Sequence, residues 1–328
     1  MKVLVTGGTG FTGKALVRRM LDEGHEVVAV DYKEGYKTAE IRDWGANLVL
    51  GSITDAATVE RCMRGVEVVH HVAAAFRELN VPRSHYHEVN VEGTRLLLQA
   101  ALEHGVRKFV YCSTCGVHGN VDHPPGGEDA PIQPADYYQA TKYEAEPIVL
   151  DYVAKGLKST ILRPAAIFGP GDTGRYRMIF RQLKRGWFPM FGSGQVLYHP
   201  LYIDNFLDAF VLAMEPDKGV GAAYLIADDH YVTIEDLVRR SARAMGTGVR
   251  FVRLPVWPIV AAGHVVEAAC KPFGLEPPIH PRRVDWYRQT RAFKIDKARR
   301  ELGYQPKVGL DEGLRRAAAW YEQEGLLA

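Results

Sequence analysis

The 328-residue sequence predicts an α/β fold: a doubly wound parallel sheet with a smaller, partly discontinuous α/β substrate domain. Three observations carry this. Short apolar runs alternate with amphipathic stretches through the first half. The runs are rich in Val and Leu with little polar alternation, as in strands covered by helices on both faces. A glycine-rich turn separates the first run from the first helical stretch.

In chain order, "KVLVT", "EVVAVD", "NLVLG", "EVVHHVA", "KFVYCS" and "STILRP" are the expected strands, with helix-like segments between them. "EGTRLLLQAALEHG" reads as a helix stopped by Gly105. After Pro164 the rhythm changes. "IFGPGDTG" is turn-rich, and "RMIFRQLKRGWFPMFGSG" predicts a helix followed by a glycine-punctuated loop. "LYHPLYIDNFLDAFVLAM" predicts a strand and helix that return to the main sheet. "VTIEDLVRRSARAMG" reads as a helix capped by Thr233 and stopped by Gly246, and "GLDEGLRRAAAWYEQEG" as a closing helix. The expected division is a cofactor-binding unit over 1–165, rejoined by about 198–216, and a substrate-binding unit over 166–197 and 217–328.

Composition narrows the function. Charged residues make up 24 % and apolar residues 47 %, an ordinary globular balance. The formal net charge of +2 gives no electrostatic footprint for nucleic acid, and short basic clusters such as "KARR" and "PRR" read as solvated faces. "MKVLV" reaches Gly7 too soon for a signal peptide, so a cytoplasmic location is expected. The apolar segment Val256 to Cys270 is too short to span a bilayer, carries His264 and Glu267, and is expected to cover a pocket. Four cysteines make no disulfide framework.

The turn "VTGGTGFTGKALVRRML" contains G-x-G-x-x-G at Gly8, Gly10 and Gly13, and G-x-x-G-x-x-G at Gly7, Gly10 and Gly13. Such glycines allow an unusual backbone, close approach of a pyrophosphate, and tight helix-to-strand packing. The helix N-terminus then offers free N–H groups and partial positive charge to phosphates. Asp31 closes the second strand about 20 residues on, where a carboxylate accepts from a ribose 2′-hydroxyl and repels a 2′-phosphate. The pattern is that of a Rossmann-type dinucleotide site and favours NAD, with Lys33 and Lys37 near enough to soften the preference.

"DYYQATKYEAE" places Tyr138 and Lys142 one helical turn apart on one face. Ser113 and Thr114 lie at the end of the preceding strand. Hydride exchange between a secondary alcohol and nicotinamide needs a group that moves the hydroxyl proton. A tyrosine serves when a neighbouring ammonium lowers its pKa from about 10. Lys142 would also hold the nicotinamide ribose, and Thr114 would orient the substrate oxygen.

Together these residues resemble the extended short-chain dehydrogenase/reductase superfamily, which includes NAD-dependent epimerases and dehydratases and 3β-hydroxysteroid dehydrogenase-like enzymes. The resemblance covers nearly the whole chain: "TGGTGFTG", "VVHHVAAA", "NVEGTRLLLQAA", "LRPAAIFGPGD", "YIDNFLDAF" and "KARRELGYQPKVGLDEGL". It implies that Thr114, Tyr138 and Lys142 are catalytic. It implies cofactor contacts at Gly7, Gly10, Phe11, Thr12, Gly13, Asp31, Ser52, Ile53, Ala73, Ala74, Asn90, Lys142, Pro164 and Ile167. A homodimer acting on a small molecule is the implied assembly.

There are departures from the nucleotide-sugar pattern. Ala166 stands where such members usually have Asn, and Tyr198 where they have Arg. Both positions contact substrate diphosphate in those relatives, so the resemblance leans toward the 3β-hydroxysteroid type, with a nucleotide-sugar epimerase as the alternative. His118 replaces a common Tyr, and Ser52 an Asp. The substrate side is expected to involve His118, Ala166, Tyr198 and His199. Trp187, Phe188, Phe191 and Tyr202 could be lining or core.

No metal site is expected. His70 and His71 are adjacent in a strand and point to opposite faces, and no zinc-type spacing occurs. Cys112 and Cys115 flank the Ser-Thr pair, but strand-like residues three apart diverge, which argues against a redox dithiol.

Overall fold

The computed structural model describes residues 1–76, 81–270 and 285–327. The first part runs β1 (Lys2–Thr6), α1 (Phe11–Asp22), β2 (Glu26–Asp31), α2 (Ala39–Asp43), β3 (Asn47–Leu50), α3 (Ala56–Met63) and β4 (Val68–His71). Then come α4 (Arg83–His87), a π-helical turn at Glu88–Glu92, α5 (Gly93–Glu103), β5 (Lys108–Cys112), α6 (Tyr137–Ala154) and β6 (Ser159–Pro164). The six expected strands form as the apolar runs predict.

Beyond them lie β7 (Ala166–Phe168), α7 (Arg175–Leu183), β8 (Trp187–Phe191), β9 (Leu197–Tyr198), β10 (Pro200–Tyr202), α8 (Ile203–Ala213) and β11 (Ala223–Ile226). The chain ends with β12 (Val232–Thr233), α9 (Ile234–Ala244), β13 (Arg250–Leu254), α10 (Trp257–Cys270) and α11 (Leu310–Gln323). Seven strands pair in the order β3-β2-β1-β4-β5-β6-β11, all parallel. The order reverses between β1 and β4, the switch point at which open sheets of this kind place their ligand crevice, beyond the strand ends.

Both faces of this sheet are apolar, as its uninterrupted strands require. Val3 and Val5 of β1 join Leu16, Val17 and Met20 of α1 and Phe206 and Phe210 of α8. Leu4 points the other way, into Val59 and Met63 of α3, Leu97 and Leu98 of α5 and Val149 of α6. The first core continues without a break into Phe180 of α7, Leu237 of α9 and Tyr321 of α11, which ties the smaller layer to the sheet.

Three expectations are corrected. The stretch around Trp187 is not only a loop: β8 pairs in parallel with β13 in a two-stranded sheet. Phe188 and Met190 alternate into the core, a two-residue period hidden by the flanking glycines. The segment near residues 197–202 does not rejoin the main sheet. β9 pairs with β12 and β10 with β7, while the free edge of β6 is taken by β11, from the stretch assigned to the substrate unit. Only α8 returns to the sheet, through Phe206 and Phe210. The apolar segment at 256–270 does form a helix, yet Trp257 and Val265 are 73 % and 68 % exposed, so the face that carries them covers no pocket. The side chains of His264 and Glu267, and the "PRR" cluster, lie outside the described residues.

Candidate active site

The glycine turn builds the first half of the site. Gly7 adopts φ +71°, and a Cβ there would stand 2.9 Å from the Ala73 backbone; a Cβ on Gly13 would overlap the Gly7 carbonyl. Side chains are thereby excluded where β1, α1 and the end of β4 converge. α1 begins after Gly10 with no side-chain cap, so its first-turn N–H groups face the crevice. Asp31 is held beside them. Its Oδ2 accepts from the Thr9 amide at 3.1 Å and the Thr9 hydroxyl at 2.7 Å, and its Oδ1 from the Tyr32 amide at 2.9 Å. Lys37 reaches away to Glu324, 2.7 Å distant. Ser52 is bonded to the Thr54 hydroxyl at 2.8 Å, and Ile53 packs under Gly93.

α6 supplies the second half. Asp136 caps it by accepting from the Gln139 amide at 2.8 Å, which fixes the first turn carrying Tyr138. The ring of Phe76 lies 4.7 Å from that of Tyr138. Thr114 caps the short 3₁₀ turn Cys115–His118 by accepting from the Gly116 amide at 3.0 Å, so its own hydroxyl proton remains available. Gly116 lets that turn approach α6 closely: a Cβ there would stand 2.9 Å from the Gln139 side chain. This contact brings Thr114 to the Tyr138 end of the helix.

Lys142 is fully buried, and its Nζ has no hydrogen-bond partner among the described residues. It sits 4.2 Å over the Tyr111 ring, while the Tyr111 hydroxyl donates to the Lys142 carbonyl at 3.1 Å. Burial brings the ammonium down to about 8. An unpartnered buried ammonium is costly, so the site is incomplete without an acceptor on a ligand. Together with the glycine cradle and the open helix N-terminus, it fits a dinucleotide whose ribose hydroxyls reach Lys142.

A hydrogen-bond chain joins the two halves. Thr6 accepts from the Val72 and Ala73 amides at 3.1 and 3.0 Å and lies 2.7 Å from Nδ1 of His71. Nε2 of His71 is 2.8 Å from the Thr94 hydroxyl, which itself donates to the Asn90 carbonyl. That direction makes Nε2 the protonated nitrogen of a neutral ring. Asn90 sits in the π-helical turn, a feature often found at functional sites. Its side chain bonds both backbone groups of Ala75 and donates to the Thr141 hydroxyl at 3.0 Å, and Thr141 donates to the Tyr138 carbonyl. Asn90 was legible in the sequence; His71, Thr94 and Tyr111 were not, because nothing local marks a buried strand residue as a partner.

On the substrate side, His118 and His199 are buried, and both ring nitrogens of each are bonded within the protein. Nδ1 of His118 donates to the Ala130 carbonyl at 3.0 Å, and its Nε2 accepts from Arg163 at 3.1 Å. Nε2 of His199 donates to the Asp228 carbonyl, and its Nδ1 accepts from the Phe293 amide. Burial holds both rings below the usual imidazole range. Ala166 is backbone-bonded to the His199 carbonyl, and Tyr198 is buried between β12 and the chain at Arg291. Of the aromatic residues near them, Phe188 and Tyr202 are core, while Phe191 faces Tyr287. Cys112 and Cys115 are free, buried thiols pushed up to about 11. Among the described residues no His, Cys, Asp or Glu cluster has the form of a metal site.

Fold and site together define a protein of the Rossmann-type dinucleotide-binding class. The sequence pattern of the NAD dependent epimerase/dehydratase family matches residues 3–227, and the chain belongs to that family. It is 32 % identical to a 2-alkyl-3-oxoalkanoate reductase of Stenotrophomonas maltophilia (strain K279a), over 97 % of this chain and 99 % of the relative. It is 30 % identical to a 3-beta-hydroxysteroid dehydrogenase of Mycolicibacterium neoaurum, over 98 % and 91 %. A dTDP-glucose 4,6-dehydratase from Streptomyces venezuelae, solved with NAD bound, superposes with a TM-score of 0.78 at 26 % identity, over 98 % of this chain and 97 % of that one. The chain is an NAD-dependent oxidoreductase of the extended short-chain dehydrogenase/reductase type.

Proposed function

We propose that Thr114, Tyr138 and Lys142 carry hydride exchange between a secondary alcohol and its ketone in the crevice beside β4 and β5. The buried Lys142 ammonium one turn beyond Tyr138, with no hydrogen-bond partner among the described residues, is the observation that carries this reading. NAD, held by the turn at Gly7, Gly10 and Gly13, the first turn of α1 at Phe11 and Thr12, Asp31, the Ala73–Ala74 strand end and Lys142, supplies the nicotinamide chemistry.

Thr114 donates its free hydroxyl proton to the substrate oxygen and fixes its position. Tyr138 takes the alcohol proton during oxidation and returns it during reduction. The Lys142 ammonium favours the phenolate form of Tyr138 and donates to ribose hydroxyls. Asp31, already bonded to Thr9, keeps lone pairs for the adenosine ribose and disfavours a 2′-phosphate. Ser52, Ile53, Asn90, Pro164 and Ile167 complete the surround.

The substrate follows the relatives more closely in kind than in detail: a ketone or secondary alcohol on an apolar body, as in a hydroxysteroid or a 3-oxoalkanoate. Ala166 and Tyr198, in place of the amide and guanidinium expected for a diphosphate, support this over a nucleotide-sugar epimerase. Incubating the purified protein with NAD and a panel of hydroxysteroids, 3-hydroxy acids and cyclic alcohols tests it. NADH should accumulate with at least one class. NAD retained through purification, with sugar interconversion and no net NADH, would move the assignment to an epimerase.

The reading includes a homodimer paired through α5 and α6, on which Leu150 is 42 % exposed. Light scattering at the mass of two chains would bear it out. A cytoplasmic setting is in keeping with four free cysteines, and among the described residues no helix is long and apolar enough to cross a membrane.

A further inference from the structure

Phe76 follows the strand end at Ala73 and Ala74, and it is 50 % exposed although Ala75 beside it is buried. A single exposed ring is ordinary on a protein surface. What distinguishes this one is where it is held. Asn90 takes both backbone polar groups of Ala75: the amide donates to its Oδ1 at 2.8 Å, and the carbonyl accepts from its Nδ2 at 3.2 Å. The same Nδ2 donates to the Thr141 hydroxyl at 3.0 Å, and that hydroxyl donates to the Tyr138 carbonyl at 2.9 Å. One fully buried amide thus ties the chain just before Phe76 to the start of α6. The rings of Phe76 and Tyr138 meet with centroids 4.7 Å apart, tilted by 54°.

That contact uses only part of the Phe76 ring, and half of the side chain remains open to solvent. Phe76 lies past the carboxyl end of β4 and Tyr138 past that of β5, on the side of the sheet where ligands of such folds are received. A molecule whose oxygen meets Tyr138 and Thr114 therefore brings its carbon skeleton close to an accessible phenyl face. Covering that face with carbon removes apolar surface from water on both partners. A charged or hydroxylated group placed there would give up its hydration, and the ring offers neither a donor nor a strong acceptor in return.

We propose that Phe76 is a substrate-contacting residue that selects for an apolar substituent, an alkyl chain or alicyclic ring, on the reacting carbinol or carbonyl carbon. Asn90 is the bracket that sets the distance between this ring and Tyr138. The proposal deepens the hydride-exchange reading and rests on it for the identity of the reacting oxygen.

Calorimetric titration of the NAD-loaded protein with hexan-2-one, octan-2-one and decan-2-one tests it without turnover, because oxidised cofactor and ketone cannot exchange a hydride. Affinity should rise about three- to fivefold with each two carbons added, since one ring covers only one side of the chain. Phe76→Ala should weaken decan-2-one about 5- to 30-fold and hexan-2-one by no more than about threefold. Phe76→Leu, which keeps an apolar surface, should recover most of the loss. Melting temperature and NAD affinity report whether each variant is folded. If Phe76→Ala does not fold, Phe76→Gln keeps bulk beside Tyr138 and makes the surface polar, with the same selective loss expected.

Affinities that do not rise with chain length, no measurable ketone binding, or an equal loss for all three ketones in Phe76→Ala would overturn the proposal. The equal loss is what a ring that merely steadies Tyr138 would give. UDP-glucose weakened by Phe76→Ala while the ketones are indifferent to it would also overturn it. NADH formation from the matching 2-alcohols is read separately. Phe76-dependent selection of the longer ketones without NADH from any alcohol would keep the wall and count against hydride exchange. NADH from all three alcohols with no dependence on Phe76 would do the reverse.

Discussion

The Arg163 guanidinium lies against the Glu146 carboxylate inside the protein, with Nη2 2.5 Å from Oε2 and Nε 3.0 Å from Oε1. Glu146 also accepts from the Ser113 hydroxyl at 2.5 Å, and Arg163 donates to His118 and to the Glu128 carbonyl. The side chains are only 4 % and 7 % exposed. Ser113 precedes Thr114, and Glu146 lies one turn beyond Lys142, so the pair fastens β6 and the end of β5 to α6.

Breaking such a pair from one side leaves an uncompensated buried charge. Glu146→Leu is therefore expected to destabilise the protein by about 3–5 kcal/mol. The double variant Glu146→Leu with Arg163→Leu should lose much less than the sum of the two single changes. Urea denaturation of the four proteins measures the coupling, and strictly additive losses would show that the pair does not act as a unit.

Tyr138→Phe removes one hydroxyl and leaves the ring against Phe76. The loss of proton transfer is expected to lower kcat by roughly 100- to 10,000-fold. NAD affinity, followed by fluorescence, should stay within about twofold, because the contacts assigned to the cofactor are untouched. A variant with wild-type turnover would remove Tyr138 from the chemistry.

Gly13→Ala places a methyl group on the Gly7 carbonyl. Neither atom belongs to a flexible side chain, so α1 must move away from β1. NAD binding should fall at least about 100-fold, as the helix N-terminus withdraws from the phosphates. Gly24→Ala is the control: its Cβ meets nothing, and the strain that φ +80° imposes on it stays local to the turn after α1. Equal NAD affinity in both variants would mean that the close approach at Gly13 is not what binds the cofactor.

Much of this site was legible because its signals are local. Uninterrupted Val and Leu runs marked the strands, glycine spacing marked the turn, and Tyr138 and Lys142 are four residues apart. What escaped depends on long-range pairing. Glu146 meets Arg163 across 17 positions and His71 meets Thr94 across 23, and nothing near either one names its partner. Which sheet edge β11 would join was hidden for the same reason, since an apolar run fixes a strand but not its neighbour. The backbone partners of His118 and His199 were hidden too, because an imidazole satisfied by a backbone carbonyl and one facing a ligand look alike in a sequence.

The dithiol alternative at Cys112 and Cys115 has a direct check. Both thiols are buried and pushed up to about 11, so neither is a thiolate near neutrality. Native protein should react with a thiol reagent at neither position within the time that unfolded protein reacts fully. The variant Cys112→Ala with Cys115→Ala should keep turnover within about threefold, with a stability loss from the vacated volume. A fall in turnover of the size expected for Tyr138→Phe would restore the thiols to the mechanism.

Lys142 gives the site a pH dependence whose sign follows from its burial. Its ordinary value of 10.5 falls to about 8 in the folded, cofactor-free protein. Between these values the unfolded chain binds more protons, so this group makes stability rise with pH from about 8 to 10.5; below 8 the penalty is full. At about 1.36 kcal/mol per unit, it amounts to roughly 3 kcal/mol at most. Lys142→Met should therefore be the more stable protein at pH 7 without cofactor, and its advantage should close toward pH 10.5. NAD binding runs the opposite way: wild-type affinity should weaken above about pH 8, as the ammonium that meets the ribose is lost, and the variant should bind weakly with no such slope. Urea denaturation and NAD titration across that pH range measure both. A stability difference that does not change with pH would mean that Lys142 is not a buried ammonium waiting for a ligand.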